Sequence, residues 1–157
     1  MREDDLKTNK KKYIELQYSP VTQGYLREYC KDNGFDLTTR FNGRTQSEEA
    51  FDFHTTIWYT TTSHDINNRS YDVIVEDIVP KGFDIFGEGI LVLEIESEQI
   101  RNIRGEFGQT HGMEDEWPVY RPHISLSYAW TGAVPEVDMP DGDEIVGGIV
   151  HIKDQKN

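Results

Sequence analysis

Polar and apolar residues alternate through "YIELQY" (13–18), the period-two pattern of a strand with one buried face. Residues 1–12 ahead of it are polar and charged and are expected to form a flexible arm. The spacing then turns helical over 19–35. Leu26, Tyr29 and Cys30 share a face, Ser19 suits the N-cap, Pro20 the first turn and Gly34 the stop. Polar residues over 36–50 predict a loop, with a short helical turn at 47–50. Alternation returns in "FDFHTTIWYT" (51–60), and "HDINNRS" (64–70) is expected to turn. Residues 71–87 are β-rich but hold Pro80 and Gly82, so they predict an edge strand or two pieces.

The second part of the chain has a similar order. A strand is expected at 88–97, then a helix from Ser97 with Ile100, Ile103 and Phe107 on one face. Glycines at 105, 108 and 112 predict that this helix weakens into a loop before 113, and the 104–119 stretch is a candidate lid. "YRPHISLSYAW" (120–130) is the next strand, 133–144 a proline-rich acidic loop, and 144–153 a closing strand. Both halves read strand, helix, histidine strand, strand. The expected fold is α+β: a single domain over 13–157, with lobes of 13–87 and 88–153. Each lobe would have an antiparallel sheet with its helix outside, the two related by a pseudo-twofold repeat. One continuous sheet built from the same elements is the alternative.

Charge narrows the range of partners. The formal net charge is −13, whereas long nucleic acids are held largely through phosphate neutralisation by Lys and Arg. A long nucleic acid is therefore not expected, although a small anionic ligand needs only a few donors. No apolar run reaches the roughly 18–20 residues that span a bilayer, and the first residues lack the apolar core of a signal peptide. Cys30 is the sole cysteine, which fits a reducing cytoplasm. Oligomeric state is not readable from the sequence.

The candidate chemistry lies in the two histidine strands. Side chains alternate faces along a strand. Asp52, His54, Thr56, Trp58 and Thr60 are thus expected on one face and Phe53, Thr55, Ile57 and Tyr59 on the other. In the second strand Arg121, His123, Ser125, Ser127 and Ala129 are expected together, opposite Ile124, Leu126 and Tyr128. Each strand would show the core an apolar face and present a histidine with a hydroxyl two positions on. His64, His111 and His151 lack that hydroxyl and read as surface or loop residues.

The paired His-x-Thr/Ser strands resemble those of the 2H phosphoesterases, over about residues 13–153. More narrowly, "FHTTIWYT" and "RPHISLSY" are similar to segments of the phage anti-CBASS phosphodiesterases, which degrade cyclic oligonucleotide messengers of a bacterial defence system. The resemblance implies a two-lobed fold with His54 and His123 facing each other across a cleft. It implies cleavage of 3′–5′ bonds in cyclic di- or trinucleotides such as cGAMP, in the bacterial host cytoplasm. Thr55 departs from the family pattern, which has an apolar residue there.

Two imidazoles can serve as acid and base near neutral pH, and Thr56 and Ser125 can donate to phosphate oxygens. The ribose 2′-hydroxyl is then the nucleophile, and either histidine can be the base. Arg121 is a candidate phosphate contact. Trp58 is a candidate base-stacking surface, as are Tyr13, Tyr18 and Trp117. No H-x-H or H-E-x-x-H spacing is present, so no metal or cofactor is expected. Two rival functions remain. One is action on linear RNA ends, 2′,3′-cyclic phosphates or 2′–5′ oligoadenylates. The other is a non-catalytic sponge for cyclic nucleotides.

Overall fold

Ile14, Leu16 and Tyr18 are buried along one face of the first strand, β1 (Lys7–Tyr18), and Glu15 is buried on the other. Burial on both faces marks a central strand, and β1 is central in a four-stranded antiparallel sheet. The computed structural model describes residues 7–114 and 119–155. Helix α1 (Pro20–Asp32) and strands β2 (His54–Asn67), β3 (Arg69–Val75), β4 (Val79–Phe86) and β5 (Ile90–Glu96) follow β1. Helix α2 (Glu98–His111), β6 (His123–Ser127) and β7 (Gly147–Asp154) complete the chain. The first sheet has the order β2-β1-β7-β3 and the second β4-β5-β6; both are antiparallel.

Several boundaries differ from the sequence reading. β1 begins at Lys7 rather than residue 13, so half of the stretch read as an arm pairs with β2. The Lys12 ammonium is buried there and meets Asp154 at 2.7 Å and Asn68 at 2.9 Å. β2 runs on to Asn67, well into the expected turn. The 71–87 stretch is indeed in two pieces. β3 is an edge strand of the first sheet and β4 of the second, where Pro80 can lack an N–H beside a register shift.

Helix signals held at both N-termini. Ser19 accepts from the Thr22 N–H and Ser97 from the Ile100 N–H. α2 does not weaken at its glycines; it runs through Gly105 and Gly108 and stops at Gly112, whose φ of 63° suits a glycine. Half of the expected lid, 104–111, is therefore helix, and residues 115–118 of it, Trp117 included, lie outside the described residues.

The chain exchanges elements between its halves. β7 leaves the second half and inserts between β1 and β3. A Cβ on Gly147 would lie 2.8 Å from a Leu16 methyl and 3.0 Å from Val75 Cβ, so a larger residue here would force its neighbours to shift. The helices cross over as well. α1 reaches β6, where Cys30 Sγ lies 3.9 Å from the Leu126 carbonyl. α2 reaches β2, where Gly108 abuts the Trp58 ring. The histidine strands β2 and β6 end up as edge strands of different sheets, side by side.

Candidate active site

His54 opens β2 and His123 opens β6. Each ring is held by the same local device. His54 Nδ1 lies 3.1 Å from the Asp52 carbonyl oxygen, and His123 Nδ1 lies 2.8 Å from that of Arg121. A carbonyl can only accept, so each Nδ1 carries hydrogen and Nε2 is the ring nitrogen that can gain or lose a proton.

The surroundings of the rings differ. Burial, chiefly, pushes the His123 imidazole below its usual range, and its edge packs on Phe86 with centroids 4.6 Å apart. The Arg121 carbonyl and the Glu94 charge oppose that shift, whereas the His54 and Arg121 charges add to it. The Nε2 of His54 instead faces the buried Glu15 carboxylate at 3.6 Å, and the other Glu15 oxygen binds Lys153.

The two hydroxyls are each met by a tyrosine. Thr56 Oγ1 is 3.1 Å from the Tyr13 hydroxyl, and Ser125 neighbours the Tyr128 phenol closely enough to act on its ionisation. Burial raises both phenols, which keeps them protonated and able to donate.

Both histidine strands also carry the same irregularity. Glu15 pairs with Thr56 and Ile14 with Trp58, so Ile57 is an extra residue. Val92 pairs with Ser125 and Leu91 with Ser127, so Leu126 is extra. Each bulge lies three positions after its histidine and reverses the alternation beyond it.

This corrects the expected faces. Trp58 turns into the core at 7% exposure, with its indole N–H donating to the Arg104 carbonyl at 2.9 Å. The Arg104 guanidinium covers the ring at 3.6 Å. Ser127 is likewise buried, and Tyr128 comes round to Ser125. The sequence reading missed Tyr128, although a tyrosine stands five positions after each histidine, at 59 and 128. That repeat was the available signal.

The remaining candidates separate clearly. Arg121 lies beside His123 over the Phe86 ring, but its guanidinium already binds Asp84 at 2.7 Å and Glu94 at 2.5 Å. Tyr13 is at the site, with its ring edge-on to His54 at 6.4 Å. Tyr18 is buried against Thr55 and cannot stack on a ligand. Cys30 is buried and its thiol is pushed up to about 12, which removes it as a nucleophile near neutral pH. His151, expected at the surface or in a loop, is half-buried in β7, where it pairs across the sheet with Glu15 and its ring bonds Gln17 at 2.8 Å. Among the described residues no group of three or more His, Cys, Asp or Glu could hold a metal ion, and no helix is long and apolar enough to cross a membrane.

A family model described as Anti-CBASS protein Acb1 matches residues 11–154, nearly the whole chain. Comparison with curated proteins gave no match.

Proposed function

The chain belongs to the Anti-CBASS protein Acb1 family, and from that premise we propose that it is a phosphodiesterase cutting 3′–5′ bonds of cyclic di- or trinucleotide messengers. Its two sheets, each with a histidine strand at the edge, are read as the lobes of a 2H phosphoesterase. One observation carries the reading. Two imidazoles on neighbouring edge strands are fixed in the same tautomer, each with a hydroxyl two residues on.

His123 is the base. Its ring is held neutral by burial, so Nε2 can take the proton of a ribose 2′-hydroxyl. That oxygen attacks the adjacent phosphorus as the bond to the 5′-oxygen breaks. His54 protonates the departing 5′-oxygen. The product ends in a 2′,3′-cyclic phosphate, and water can open it when the histidines exchange roles. Thr56 and Ser125 donate to the non-bridging oxygens, where negative charge grows in the transition state. Arg121 stands at the rim beside His123, but its charge is offset by Asp84 and Glu94, so it is not assigned the main phosphate contact.

The test is incubation with cyclic and linear oligoribonucleotides in EDTA, with products resolved by chromatography and mass. The expected result is a linear product from the ring. A ring that is bound but uncut would mark a sponge, and cleavage of linear ends alone would overturn the proposed substrate.

A further inference from the structure

Thr55 puts a hydroxyl in the core between Phe53 and Ile57, and all three residues are fully buried. A buried hydroxyl is costly unless it is bonded. This one has two partners. Thr55 Oγ1 donates to the backbone carbonyl of His123 at 3.0 Å and lies 2.6 Å from the Tyr18 hydroxyl. Since the carbonyl only accepts, Thr55 gives it its hydrogen and takes one from Tyr18. The chain Tyr18 to Thr55 to His123 therefore runs one way across β1, β2 and β6. Strands β1 and β2 belong to the first sheet and β6 to the second, and no strand ladder joins the sheets among the described residues. The link joins the residue next to His54 to His123 itself.

We propose that Thr55 is a positioning residue, whose hydroxyl sets the separation of His54 and His123 across the two sheets. This rests on the phosphodiesterase reading above. A residue in contact with both histidine strands, but facing away from the ligand, acts on the rate and not on binding. Small displacements of an acid against a base are expensive, and about 1 Å can cost on the order of a hundredfold.

Thr55→Val keeps the β-branched shape and removes the hydroxyl, and Thr55→Ser keeps the hydroxyl. The experiment compares kcat and KM on a cyclic ribodinucleotide with the 13C carbonyl shift of residue 123. In the valine variant the carbonyl shift should move, and kcat should fall about ten- to a hundredfold with KM within about twofold. Serine should restore both. Thr55→Ala replaces valine if that variant does not fold. Unchanged kcat, a loss confined to KM, or failure of serine to rescue would overturn the proposal. An inactive wild type would instead remove the phosphodiesterase reading, while the carbonyl shift still reports on the link.

Discussion

The hydroxyl of Tyr13 lies 3.1 Å from that of Thr56. Tyr128 neighbours Ser125 on the other histidine strand, so a phenol stands beside each of the two hydroxyls proposed to meet phosphate. Tyr13→Phe removes one hydrogen bond worth about 1 kcal/mol, an expected loss of about fivefold in kcat; Tyr128→Phe, whose hydroxyl only neighbours Ser125, should lose less. Thr56→Ala and Ser125→Ala should cost more, since the proposed mechanism has those groups donate to the phosphate directly. Steady-state kinetics on a cyclic ribodinucleotide decides the order, and a tyrosine variant as damaged as its hydroxyl partner would contradict it.

His54→Ala and His123→Ala should each remove most activity, about a hundredfold or more. The double variant should be little worse than either, because an acid and a base acting on one phosphate work as a unit. Circular dichroism establishes that the variants fold. A folded single variant with near wild-type turnover would exclude the two-histidine mechanism.

Burial lowers the His123 imidazole, so its neutral form persists as pH falls below about 6.5, where an exposed ring protonates. The acid limb of the pH–rate profile should lie below that value. The sign for stability follows from proton counts. Between the unfolded and the lower folded pKa, the unfolded chain binds more protons, so stability decreases as pH drops through that window. His123→Gln should flatten this part of the curve in denaturant titrations at several pH values.

A cyclic dinucleotide with 2′-deoxyribose at the scissile link should bind and survive, while its ribose counterpart is cut. The structure supports this by placing Cys30 in the core, away from any nucleophilic role. Matched rings, with mass analysis for a 2′,3′-cyclic phosphate, provide the measurement. Equal cleavage of both would mean direct attack by water.

Two glycines of α2 should respond oppositely to alanine. A Cβ on Gly105 meets nothing within 4 Å, so Gly105→Ala should gain about 0.5–1 kcal/mol from helix propensity. A Cβ on Gly108 would come within 3.1 Å of Trp58 Cζ2, on a ring held by Arg104 on its face and at its N–H. Gly108→Ala should therefore fail to gain. Thermal denaturation of the pair provides the comparison.

Local rules were legible in the sequence. Serine caps at Ser19 and Ser97 bond within the next turn, so nearby residues suffice to place them. His54 with Thr56 and His123 with Ser125 lie before the bulges, where simple alternation still holds. That each histidine shares a strand face with its hydroxyl, and the α+β outline with two antiparallel sheets, could be read without a structure.

What only the tertiary structure decided depends on partners distant in the chain. The bulges at Ile57 and Leu126 exist because β1 and β5 offer one residue against two, and no periodicity within β2 or β6 reports that. They sent Trp58 into the core and brought Tyr128 to the site. Arg121 is captured by carboxylates 37 and 27 residues away. β7 lies between β1 and β3, where Gly147 meets Leu16 and Val75, partners that are distant in the chain. The Thr55 bond to His123 spans 68 residues and two sheets, so a threonine that reads locally as a misplaced polar residue becomes a link between the two histidine strands.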